Sequence, residues 1–91
     1  MFGFKKNEWN RTYVYSRLSK AEADSVTGFY EMMGYQFGVH GVLKYTTDTE
    51  TWYVSVKVKN AGVKQDALAK RIKTYVEALF CKSIDMTTNV A

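Results

Sequence analysis

Gln36–Lys59 reads QFGVHGVLKYTTDTETWYVSVKVK, and the alternation of its apolar residues decides the fold. Trp52, Val54, Val56 and Val58 alternate with Tyr53, Ser55, Lys57 and Lys59, the period of a half-buried strand. Before them, Phe37, Val39, Gly41, Leu43 and Tyr45 alternate with Gln36, Gly38, His40, Val42 and Lys44. The stretch predicts a β-hairpin. With its turn centred on Asp48-Thr49, Tyr45 lies opposite Trp52, Leu43 opposite Val54, Gly41 opposite Val56 and Val39 opposite Val58, which gathers this apolar set on one face.

Upstream of the hairpin, Ser19-Lys20-Ala21-Glu22 is a capping box. Ala23, Val26, Phe29, Tyr30 and Met33 follow at helical spacing, and Gly34 supplies the left-handed stop. Downstream, Leu68, Ile72, Tyr75, Val76 and Leu79 form the stripe of a second helix over 63–80, with Asp66 one turn before Lys70. Residues 11–18 and 83–90 have strand character, so the element order is βαββαβ. Over residues 11–90 that order resembles the ferredoxin-like split βαβ fold, which implies an α+β sandwich: one antiparallel sheet with both helices on one face. A βαββα domain ending in a loose tail over 83–91 is the alternative. The domain is expected over 11–91, with 1–10 as an amino-terminal extension.

Composition narrows the function classes. Ninety-one residues at 46% hydrophobic and 24% charged support one folded core and no second domain. A single cysteine, Cys81, and a single histidine, His40, exclude an internal disulfide and a Cys/His metal set. No cofactor is expected. No apolar run approaches the roughly 20 residues of a spanning helix, and Met1–Lys6 lacks the apolar stretch of a signal peptide, so a cytoplasmic protein is expected. The formal charge of +4 favours anionic partners without naming one.

If the helices cover the face bearing Val39, Leu43, Val54, Val56, Ile84 and Met86, the other face is open. From the hairpin it collects Gln36, His40, Lys44, Tyr53, Ser55, Lys57 and Lys59, and from the last strand Asp85, Thr87 and Asn89. In the first strand, Val14 and Leu18 inward puts Tyr13, Tyr15 and Arg17 outward; the reverse buries both tyrosines. On the first assignment, the face offers Tyr13, Tyr15 and Tyr53 for base stacking and Arg17, Lys44, Lys57 and Lys59 for phosphates, with His40 beside them. Tyr13-Val14-Tyr15-Ser16-Arg17-Leu18 resembles the first strand of an RNA recognition motif, which stacks bases on its open sheet. That family's third strand carries a basic-glycine-aromatic signature where this chain reads Glu50-Thr51-Trp52-Tyr53-Val54-Ser55, so the likeness is one of surface.

The expectation is a non-enzymatic module binding single-stranded nucleic acid. The second reading is a protein-binding regulator or inhibitor, of the kind viruses and mobile elements encode, or a homodimer formed through the sheet. Catalysis finds no constellation: His40 has no nucleophile or carboxylate at a useful spacing, Cys81 ends a helix, and the glycines form no phosphate loop.

Overall fold

A computed structural model describes residues 9–47 and 49–90. Its elements are β1 (Trp9–Leu18), α1 (Lys20–Met32), β2 (Val42–Thr46), β3 (Trp52–Lys59), α2 (Val63–Phe80) and β4 (Asp85–Val90). The strands form one antiparallel sheet in the order β2-β3-β1-β4. Each half is a split βαβ unit. Strands β1 and β2 run the same way with β3 between them, and β3 and β4 run the same way with β1 between them. The carboxy-terminal segment is a paired strand, from Ser16 opposite Asp85 to Arg11 opposite Val90, and not a loose tail. Of the amino-terminal extension expected over 1–10, Trp9 and Asn10 are instead the first residues of β1, while residues 1–8 and the Asp48 part of the hairpin turn lie outside the described residues.

Both helices end where their sequences dictate. Ser19 Oγ accepts from the Glu22 N–H at 3.1 Å while Glu22 Oε1 accepts from the Ser19 N–H at 2.7 Å, completing the capping box. At the other end of α1, the Gly34 N–H donates to Glu31 O and the Tyr35 N–H to Tyr30 O, a Schellman closure that needs the positive φ of Gly34. Helix α2 starts with Gln65 Oε1 accepting from the Gly62 N–H at 2.9 Å. It is fastened to β4 through Glu77, which accepts from the Ile84 N–H and from Lys73 Nζ, each at 2.9 Å.

The core lies between the sheet and both helices. Tyr13, Tyr15, Leu18, Val42, Val54, Val56 and Val58 meet Ala23, Val26 and Tyr30 of α1 and Ala69, Ile72 and Val76 of α2. Each fully buried valine, leucine or isoleucine in this set contributes about 1.5–3 kcal/mol.

Three one-residue slips separate this core from the alternation expected along the chain. The first is a bulge in β1: Tyr15 pairs with Val54 and Leu18 with Trp52, so Ser16 and Arg17 together oppose Tyr53, and Arg17 takes φ 56°. Tyr13, Tyr15 and Leu18 therefore share the buried face although their numbers differ in parity. Tyr13 and Tyr15 are inward, not outward, and Val14 is on the open side. The second slip is in the hairpin turn, where the Glu50 N–H donates to Thr47 O, the Thr47 N–H donates to Thr51 O, and Glu50 sits at φ 61°. That is a three-residue loop closed by a left-handed residue, one residue longer than a two-residue turn. The pairing becomes Val42 with Val56, Lys44 with Val54 and Tyr45 with Tyr53, displacing the expected register by one. Leu43 and Tyr45 are thereby turned outward, and Val42 and Lys44 inward.

The third slip is at Gly41, with φ 78°. A Cβ there would lie 2.7 Å from the Lys57 carbonyl oxygen and 3.2 Å from Trp9 Cζ3, so only glycine admits this approach. Residues 37–41 consequently form a loop and not the first half of a strand, and Val39 is exposed.

One polar cluster ties β1 to the first turn of α2. Tyr13 Oη donates to Asp66 Oδ1 at 2.6 Å, and Arg11 Nε donates to the same oxygen at 3.1 Å. These bonds hold the Asp66 carboxyl below its ordinary range, the tyrosine hydroxyl first and the guanidinium second. Glu77 is held down by the Ile84 amide and then Lys73, and Asp24 chiefly by Lys44. A carboxyl whose folded pKa is depressed lends stability that is present above the unfolded value, near pH 4, and lost as pH falls through the folded value. The urea midpoint is therefore expected to hold from about pH 7 to 5 and to fall below about pH 4. Asp66→Asn should start lower at neutral pH and decline less steeply in acid. Parallel pH curves for the two proteins would show that this cluster does not couple to folding.

Candidate binding surface

Among the described residues no element covers the sheet face opposite the helices. Along β3 this face presents Tyr53, Ser55 and Lys57; beside them stand Leu43 and Tyr45 of β2, Thr12, Val14 and Ser16 of β1, and Asp85, Thr87 and Asn89 of β4. Leu43 is 56% exposed and Tyr45 45%, values that no buried layer would leave.

The aromatic centre of the face is a cross-strand pair. Tyr45 and Tyr53 are directly opposite in the ladder and their rings stack, with centroids 5.4 Å apart and planes within 9°. The ring faces turned toward each other are taken. The β1 bulge opposes Tyr53, which brings exposed Arg17 beside that side of the pair; its Nε lies 3.9 Å from Asp85 Oδ2. At the opposite end of β3, Lys59 Nζ lies 4.7 Å from the centroid of the Trp9 ring.

The residues nominated from sequence divide accordingly. Tyr53 and Lys57 share the open face. His40 lies in the loop before β2, its Nδ1 accepting from the Gln36 N–H at 2.8 Å, and it lines one pocket with Lys57, Lys59 and Trp9. Arg17 is exposed at the far end, beside Tyr53.

Three nominated residues are elsewhere. Lys44 points toward α1, where its Nζ lies 2.5 Å from Asp24 Oδ1 and close over the Phe37 and Trp52 rings. Tyr13 and Tyr15 are both 0% exposed. Tyr15 Oη donates to the Ala69 carbonyl at 2.9 Å, which leaves its oxygen to accept from Tyr30 Oη at 2.7 Å. Burial pushes the hydroxyl pKa of Tyr15, Tyr13 and Tyr30 upward, and the Asp66 carboxylate raises Tyr13 further. None of these tyrosines can stack on a base.

The face instead gains Tyr45 and Trp9, neither of which was nominated. Tyr45 owes its place to the turn: one extra loop residue is all that moves it from opposite Trp52 to opposite Tyr53. No group of three or more His, Cys, Asp or Glu is placed to hold a metal among the described residues. No helix among them is long and apolar enough to cross a membrane. Compared with known proteins, the chain matches no family, no curated relative and no solved structure.

Proposed function

We propose that the protein is a non-catalytic binding module whose uncovered sheet face holds single-stranded nucleic acid. The observation that carries this reading is the Tyr45–Tyr53 pair on a face flanked by Lys57. Asp85 is the one carboxylate among the described residues of that face, and it stands at the edge strand beside Arg17. Aromatic rings tolerate any base, and cations at either end track the phosphates, the division of labour of single-strand binders. The reading keeps the cytoplasmic setting expected from the sequence.

A second reading has its own support. Exposed Leu43 and half-buried Val14 give the middle of the face an aliphatic character that suits a protein partner or a second copy, as a regulator, an inhibitor or a sheet-mediated homodimer.

The two separate in one experiment, fluorescence anisotropy of a labelled single-stranded oligonucleotide at rising salt, run beside light scattering on the protein alone. Two or three phosphate contacts give a slope of log affinity against log salt of about −2, and Lys57→Ala should make it shallower by about 0.7. A monomer with that behaviour is the expected result. A dimer that takes up no oligonucleotide would overturn the nucleic-acid reading in favour of the second.

A further inference from the structure

At the end of the uncovered face where β3 finishes, a pocket of about 460 Å³ opens between Trp9, the loop after α1 and the last residues of β3. Trp9, Tyr35 and Val39 supply its apolar walls, and His40, Lys57 and Lys59 its polar groups. Small-ligand sites are of this size and make-up: mostly apolar walls with a few convergent polar groups.

The loop that forms one wall is bonded to itself. Gln36 O accepts from the Val39 and His40 N–H groups at 3.0 and 2.9 Å, and the Gly38 N–H donates to Val42 O at 2.6 Å. The Gln36 N–H donates to His40 Nδ1 at 2.8 Å. A loop tied in this way has little left to order when a ligand arrives. Because Nδ1 accepts, neutral His40 carries its proton on Nε2 as a donor. The Lys57 N–H is fixed to Gly41 O at 3.0 Å, so the strand and the loop meet in one geometry. Lys59 is engaged with the Trp9 ring, whereas the exposed Lys57 ammonium makes no ion pair among the described residues.

Aromatic walls receive a planar ring, and a lysine beside an imidazole N–H receives an anionic oxygen; a nucleoside monophosphate carries both. We infer that this pocket takes the terminal nucleotide of a strand lying on the sheet. The inference rests on the nucleic-acid reading and adds a direction to it, since the pocket stands at one end of the face.

Trp52→Phe leaves Trp9 as the only indole and so as the reporter. Adenosine and uridine monophosphates are expected to quench it saturably, with His40→Ala and Lys57→Gln each weakening the nucleotide about tenfold. A short linear oligonucleotide should quench Trp9, and the same sequence closed into a circle should bind by anisotropy without quenching. Equal quenching by circle and line, or displacement of the nucleotide by inorganic phosphate as readily as by a second nucleotide, overturns the terminal-nucleotide assignment. Strand binding with no response of Trp9 to linear strand or nucleotide overturns the pocket and leaves the sheet reading standing. Absence of strand binding by anisotropy overturns both, whatever Trp9 does with mononucleotides.

Discussion

Replacing Tyr15 with alanine is expected to cost about 3–5 kcal/mol of folding stability, the range for deleting a large buried aromatic side chain. A domain of this length has on the order of 5–14 kcal/mol in all, so the change removes a large fraction of it and should lower the melting temperature by roughly 12–40 °C. The reason lies in the position of the ring. Tyr15 is 0% exposed, meets Tyr30 edge-on with centroids 6.0 Å apart, and joins β1 to both helices through its hydroxyl. Tyr15→Phe keeps the ring and removes only the hydroxyl, which strands the buried Tyr30 proton; about 1–3 kcal/mol is expected, or roughly 5–20 °C in melting temperature. Tyr15→Phe with Tyr30→Phe should cost less than the sum of the two single changes, because no donor is then left unpaired. Urea titrations of the four proteins check this. A surface tyrosine at this position would give changes within about 0.5 kcal/mol for Tyr15→Phe, and that outcome would reverse the assignment of the faces of β1.

The second large effect concerns binding. Tyr45→Ala with Tyr53→Ala is expected to weaken single-stranded oligonucleotide about 10- to 100-fold, since stacking is worth about 1–3 kcal/mol per base. The stacked pair uses its facing surfaces on itself, so the two rings together support one or two bases and not four. Tyr45 is the more exposed partner, at 45%, and stands on the edge strand β2. Tyr45→Ala should account for most of the loss, and Tyr45→Phe should bind like the parent because the ring and not the hydroxyl is used. Loss of the aromatic pair costs folding about 0.5–1.5 kcal/mol beyond area, so the double variant remains folded and a thermal melt separates the two effects. Affinity unchanged in the folded double variant would remove this pair from the site.

These predictions assign opposite roles to tyrosines that look alike in the sequence. The βαββαβ order, the capping box at Ser19, the stop at Gly34 and the second helix were all legible, because each rests on a periodicity or a cap confined to one element. The faces were less so. Alternation carries face information only while the count by twos is unbroken, and here it breaks at Ser16-Arg17, at Glu50 and at Gly41. Two of those left-handed positions are held by arginine and glutamate, residues with no special liking for positive φ, so nothing local announced them. Tertiary packing decided instead: the β1 bulge lets Tyr13, Tyr15 and Leu18 all reach the core. The extra residue in the hairpin turn, a separate slip, took Lys44 to Asp24 and put Tyr45 beside Tyr53. The open face was thus foreseeable as a place, while half of its occupants depended on single-residue slips.

The central claim is that the ligand meets the face opposite the helices, and backbone amide chemical-shift mapping tests it most directly. On titration with a single-stranded oligonucleotide, shifts are expected at Leu43, Tyr45, Tyr53, Ser55, Lys57 and Thr87, while Lys64, Arg71 and Leu79 on the outer surface of α2 stay still. Shifts centred on the basic residues of α2, with the β3 residues unmoved, would contradict it.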